Sequence, residues 1–135
     1  MPILRLLARL QTYRTIRLRI GSKTLNAMVA DTVLKRAIGL MHRKKLKSNE
    51  CMLFIFGRGS RYGIWMLNMR FSIDIIWLDE KKRVVDFAKN LKPCKNIFDC
   101  KTSYPKRASR YIIELNAGFI EKNKFPISKR VSFQI

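Results

Sequence analysis

Hydrophobic and polar positions along the chain change rhythm twice. In residues 3–13 (ILRLLARLQTY), Ile3, Leu6, Leu7 and Leu10 recur at helical spacing with Arg5 and Arg9 on another face, predicting a short amphipathic helix. From Thr15 the period becomes two. Ile16, Leu18 and Ile20 alternate with Arg17 and Arg19, Gly21-Ser22 can turn the chain, and Leu25, Ala27 and Val29 alternate on the return. Asp31 is placed to cap a short helix over Thr32–Ile38, which Gly39 stops. A basic loop, HRKKLK at 42–47, separates that helix from a series of apolar runs.

Those runs predict strands at 51–56, 63–67, 71–78 and 83–88, the last two joined as a hairpin by the DEKK turn at 79–82. Residues 89–108 lack periodicity, carry Pro93 and Pro105, and read as a long surface loop. Tyr111, Ile113 and Leu115 alternate in a further strand that Gly118 ends; a short helix or turn then leads to Pro126, and VSFQI closes the chain as a strand. The expected fold is mainly β and barrel-like, with about 7–9 short strands and one or two short helices. Residues 1–13 form a basic N-terminal helical extension to a single β-rich domain over 14–135.

Composition agrees with a folded globule, the hydrophobic fraction being 47%. No run approaches the ~20 apolar residues of a membrane-spanning helix. Arg5 and Arg9 interrupt the first apolar run too early for a signal-peptide core, although an acid-free amphipathic helix of this kind suits a membrane surface or a transit peptide. The outlying quantity is charge: 29 Lys and Arg against 9 acids, a net +20. Basic clusters at 42–47, 58–61 and 101–110, with Tyr62 and Tyr104 among them, make RNA or another polyanion a candidate partner.

Several chemistries are excluded. His42 is the sole histidine, so a multi-histidine metal site cannot be assembled. Walker and dinucleotide-binding fingerprints are missing, and no metal or cofactor is expected. Gly57, Gly59 and Gly63 with Arg58 and Arg61 read as a mobile hairpin connection, with phosphate binding as the alternative. Three cysteines, an odd number, point to the reducing cytoplasm; Cys51 reads as a small buried apolar residue, while Cys94 and Cys100 lie close enough in one loop to bridge.

Residues 37–79 carry a more specific pattern. Gly39-Leu40-Met41-His42-Arg43, then Cys51-Met52-Leu53-Phe54-Ile55-Phe56, then Ile64-Trp65-Met66-Leu67-Asn68, then Ile73-Asp74-Ile75-Ile76 follow one another at short intervals. The order resembles the family catalogued as domain of unknown function 192, whose pattern runs G-L-M-x-R, G-M-L-F-x-F, F-W-M-x-N-T and P-L-D-I-I-F-I-D. The resemblance covers residues 14–135, ending in the ELNAG run at 114–118, and implies a small β-barrel-like protein without an assigned reaction. Cys51, Ile64, Met69 and Ser72 depart from the family's Gly, Phe, Thr and Pro. Met69 in place of Thr removes a hydroxyl from any Asn-Thr-Asp catalytic trio.

Four residues stand out as site candidates. Asp74 interrupts an apolar strand, either lining a cleft for hydrogen bonding or proton transfer, or serving as a buried structural carboxylate. Asn68 suits a ligand or a turn. Trp65 suits the core or a ligand platform. Arg43 suits an anion or a pairing with Asp74 or Glu114. These readings combine into a non-catalytic cytoplasmic binding or accessory module with a cleft near Trp65, Asn68 and Asp74 and Arg43 at its edge. The alternatives are a nucleic-acid- or ribosome-associated protein, and a small acid–base enzyme using Asp74.

Overall fold

The computed structural model describes residues 2–135. Helix α1 (Pro2–Leu10) precedes strands β1 (Thr15–Ile20) and β2 (Lys23–Ala30), helix α2 (Val33–Ile38) and strands β3 (Glu50–Ser60), β4 (Ile73–Leu78) and β5 (Val84–Leu91). A 3-10 turn at Ile97–Asp99, strand β6 (Ser109–Asn116), helix α3 (Phe119–Asn123) and strand β7 (Ser132–Phe133) complete the chain. The seven strands form one curled half-barrel sheet in the order β5-β4-β6-β3-β2-β1-β7. Every pairing is antiparallel except β2–β3, whose parallel register needs the α2 crossover.

The C-terminal segment draws the two sheet edges together at one end. Arg130 bridges to Arg83 beside β5, Phe133 pairs with Leu18 of β1, and the Lys82 ammonium donates to the Phe133 carbonyl at 2.6 Å. Both faces of the sheet are buried. The concave face holds Leu18, Leu53, Ile76, Leu78, Ile113, Leu115 and Phe133. The convex face holds Met52, Phe54, Ile73, Ile75, Trp77 and Ile112. It is covered by the segments on either side of Leu40 and Met66 rather than by a second sheet.

Local chemistry explains most boundaries. Asp79 turns the β4–β5 hairpin, its Oδ1 accepting from the Lys81 and Arg83 amides at 2.9 and 3.0 Å. The α2 cap is Thr32 rather than the expected Asp31: the Thr32 hydroxyl accepts from the Lys35 amide at 3.1 Å, while Asp31 reaches Arg14 at 3.6 Å. Residues 63–67 are not a strand. They cross the convex face and pair only at Ile64 with Ser103 and at Leu67 with Cys94, and Trp77 Nε1 donates to the preceding Tyr62 carbonyl at 2.9 Å. The glycines at 57 and 59 continue β3 across a register shift instead of forming a loose connection. Cys94 and Cys100 are joined as a disulfide with Cα atoms 5.3 Å apart, and Cys51 is free and buried.

Candidate functional site

Two segments covering the convex face meet at a small cleft. The first follows α2, and its loop is fastened where Asn116 Nδ2 donates to the Leu46 carbonyl at 2.7 Å. The second, residues 61–69, is held by Trp77 beneath it and by the Ile64–Ser103 amide pair at 2.9 and 2.8 Å. They join where the His42 amide donates to the Asn68 carbonyl at 2.9 Å. Between them lies a cleft of about 210 Å³, walled by Met41, Phe54, Ile64, Trp65 and Met69 together with Arg36, whose Nη1 donates to the Ile55 carbonyl at 3.0 Å, and with Glu114 at its floor.

Glu114 arrives there by strand alternation. In β6, Tyr111, Ile113 and Leu115 point into the concave core, so Ile112 and Glu114 point to the convex side. Glu114 is only 5% exposed, and burial rather than any hydrogen bond from another described residue governs its carboxyl group. Burial alone pushes its pKa up to about 8, so the carboxyl is largely protonated at neutral pH and can donate as well as accept. Gly39 keeps the floor open: at φ 52 its backbone passes so close that a Cβ would lie 3.1 Å from the Phe54 ring and 3.2 Å from Glu114 Oε1.

The structure separates the four candidates. Trp65 is 39% exposed on the cleft wall. Asn68 sits beside the cleft in a left-handed turn (φ 61), its side-chain amide directed at Met41 Sδ at 3.9 Å. Arg43 lies over the Tyr13 ring, 5.5 Å from its centroid. Burial raises the Tyr13 phenol, while the Arg43 charge opposes that rise. Asp74 faces the opposite side of the sheet from Glu114. It is fully buried, Oδ1 accepting from the Asn90 amide at 2.8 Å and Oδ2 from the Ile120 amide at 2.9 Å. It thereby caps the first turn of α3 from a distant strand and fixes the left-handed kink at Asn90 (φ 52).

Sequence reading weighed Glu114 only as a pairing partner for Arg43. The available signal was Ile112, an apolar residue on the supposed outer face of β6, which implies that this face is covered. Among the described residues, no group of three or more His, Cys, Asp or Glu is placed to hold a metal ion, and no helix is long and apolar enough to cross a membrane.

Comparison with known proteins places this geometry in context. Residues 16–133 match the family model described as Uncharacterized ACR, domain of unknown function 192. A UPF0127 protein of Thermococcus kodakarensis is 39% identical over 94 residues, covering 68% of this chain and 54% of its own length. A UPF0127 protein of Pyrococcus horikoshii is 38% identical over 101 residues, 71% of this chain and 76% of its own. The chain thus spans about half the length of the Thermococcus kodakarensis relative. A solved structure of a Sinorhizobium meliloti protein, described as a candidate transcription regulator, superposes with a TM-score of 0.84 over 91% of this chain and 96% of its own at 22% identity. A Novosphingobium aromaticivorans protein of unknown function gives 0.78 over 89% and 84% at 23% identity. At these identities the likeness concerns the fold.

Proposed function

The chain belongs to the uncharacterised family of domain of unknown function 192, and from that premise we propose that it is a cytoplasmic binding or accessory module whose β-rich domain, residues 14–135, holds a small neutral organic ligand in the Glu114 cleft. The observation that carries this reading is a buried carboxyl group, raised in pKa by burial alone, that opens onto a cleft whose walls are apolar except for Arg36. A polar group that burial would penalise is retained where a ligand could complete its hydrogen bonds. Trp65 offers a partly exposed ring to an apolar body, Asn68 stands beside the cleft against Met41, and Arg36 lines the wall. The net charge of +20 disfavours a cationic ligand, and a protonated Glu114 offers a neutral ligand both a donor and an acceptor.

The test is a thermal-shift screen of small neutral amides, alcohols and sugars, followed by titration of the bound compounds through tryptophan fluorescence. Bound compounds lose at least tenfold in affinity when Glu114 is changed to Ala, and also as pH rises through Glu114's value of about 8. Compounds that bind equally well to Glu114→Ala and at every pH sink the reading.

A polyanion such as RNA is the second reading, supported by the joining of two basic clusters: Arg61 Nε donates to the Pro105 carbonyl at 2.8 Å. The third cluster, at 42–47, contributes Arg43 and Lys44 to a different groove, beneath α1. Binding across a salt series separates the readings, because backbone contacts to nucleic acid weaken steeply with ionic strength.

A further inference from the structure

Helix α1 lies on the outside of the molecule. None of its residues is buried, and Ile3, Leu6 and Leu10 form one aliphatic stripe that is 65%, 55% and 66% exposed. Beside that stripe, α1 and the body enclose a groove of about 640 Å³ lined by Arg5, Arg9, His42 and Arg70, with no acidic residue in its wall. An adjoining groove adds Arg43 and Lys44, again without an acid. The first acidic residue of the whole chain is Asp31. Among the described residues, His42 Nε2 is the buried side-chain nitrogen without a hydrogen-bond partner, and its ring borders both grooves.

We propose that α1 and this groove form a docking surface for an anionic phospholipid bilayer, with the aliphatic stripe entering the interface and lipid phosphates seated among Arg5, Arg9 and Arg70. The two halves of the surface match the two halves of the lipid. Aliphatic side chains on one face of a short helix gain by leaving water at the acyl boundary, and the neighbouring guanidiniums meet phosphodiesters at headgroup level. A nucleic acid would use the charges but offers the aliphatic stripe nothing. The geometry also leaves the Glu114 cleft untouched, so the surface and the cleft can be tested apart.

The experiment is cosedimentation of the full chain with vesicles of phosphatidylcholine containing about one third phosphatidylglycerol, against pure phosphatidylcholine, at ~0.15 M salt. Partitioning into the anionic vesicles is expected to exceed that into neutral ones at least tenfold. Changing Ile3, Leu6 and Leu10 together to Ser should lower it tenfold or more, as should Arg5→Glu with Arg9→Glu, with an unaltered thermal midpoint because all five side chains are exposed. Vesicle binding undiminished in the triple Ser variant overturns the proposal, and complete displacement of that binding by single-stranded RNA then assigns the surface to a nucleic acid. Inorganic phosphate binding in the groove, with no preference for anionic vesicles, overturns it in favour of a soluble ligand.

Discussion

Asp74 and Glu114 are buried acids on adjacent strands, one register step apart: Asp74 pairs with Leu115 and Glu114 pairs with Ile75. Their environments differ because the pleat sends them to opposite faces of one sheet. Asp74 enters the concave side, where two backbone amides with no other acceptor already wait. Glu114 enters the convex side among Met, Phe and Trp side chains and receives no donor. Burial is common to both, so burial does not distinguish a structural acid from a site. The distinction is whether the protein itself supplies the hydrogen bonds.

The largest effect should come from removing the satisfied acid. Asp74→Ala strands the Asn90 and Ile120 amides, and at roughly 1–3 kcal/mol for each buried unsatisfied group the loss should be about 4 kcal/mol. Urea denaturation measures it. A loss below about 1 kcal/mol would mean that water replaces the carboxylate, and the contrast between the two acids would collapse.

The unsatisfied acid should behave in the opposite sense. Glu114 has its pKa raised by burial from 4.5 to about 8, so the folded state holds a proton that the unfolded state releases between those values. The folded state is therefore favoured fully below pH 4.5, and stability declines as pH rises to about 8, by up to about 1.4 kcal/mol per pH unit. Glu114→Gln should flatten that decline and leave the protein roughly 3 kcal/mol more stable than the parent at the upper end. Denaturation midpoints between pH 5 and pH 8 check the sign; a parent that gains stability over this range would place a donor on Glu114.

Much of the fold was readable from local pattern, and the reason the site was less so lies in particular residues. Period-two alternation located β1, β2 and the Asp79 hairpin because each is defined by neighbours in sequence. The same alternation marked Asp74 as misplaced, yet its partners Asn90 and Ile120 lie 16 and 46 residues away, and periodicity carries no such information. Residues 63–67 looked like a strand because Trp65, Met66 and Leu67 are apolar. They are apolar because they roof the convex face, a tertiary role that overrides strand propensity. Glu114 looked ordinary for the same reason: its face reads as solvent until that roof is known.

The disulfide bears on the roof alone. Cys94 and Cys100 close a short loop that bridges Leu67 at Cys94, and Ser103, just beyond it, holds Ile64 beside the cleft. A loop of this length is worth about 2 kcal/mol in chain entropy. Cys94→Ser should loosen amides of residues 61–69 and 92–104 in hydrogen exchange while those of β4 and β6 keep their protection. Loss of protection throughout the sheet would show that roof and barrel unfold together, and that the cleft cannot open independently.

The smallest expected effect tests whether the cleft wall is set by packing. A Cβ on Gly63 would stand 2.5 Å from Thr102 Cγ2 and 2.7 Å from the Tyr104 ring, too close for either to remain where it is. Tyr104 is well exposed and can swing outward, so Gly63→Ala should lower stability by only about 1 kcal/mol. The displacement is directed, however, because Ile64 is tied to Ser103 on both its amide and its carbonyl. Pushing residues 102–104 away from Gly63 must carry Ile64 and the Trp65 ring with them. The emission maximum of Trp65 should therefore shift even though the denaturation midpoint scarcely moves, and Glu114's titration should fall back towards the ordinary carboxyl range as water reaches the floor. An unchanged Glu114 titration in Gly63→Ala would mean that Phe54 and Gly39, rather than the roof, keep that carboxyl dry.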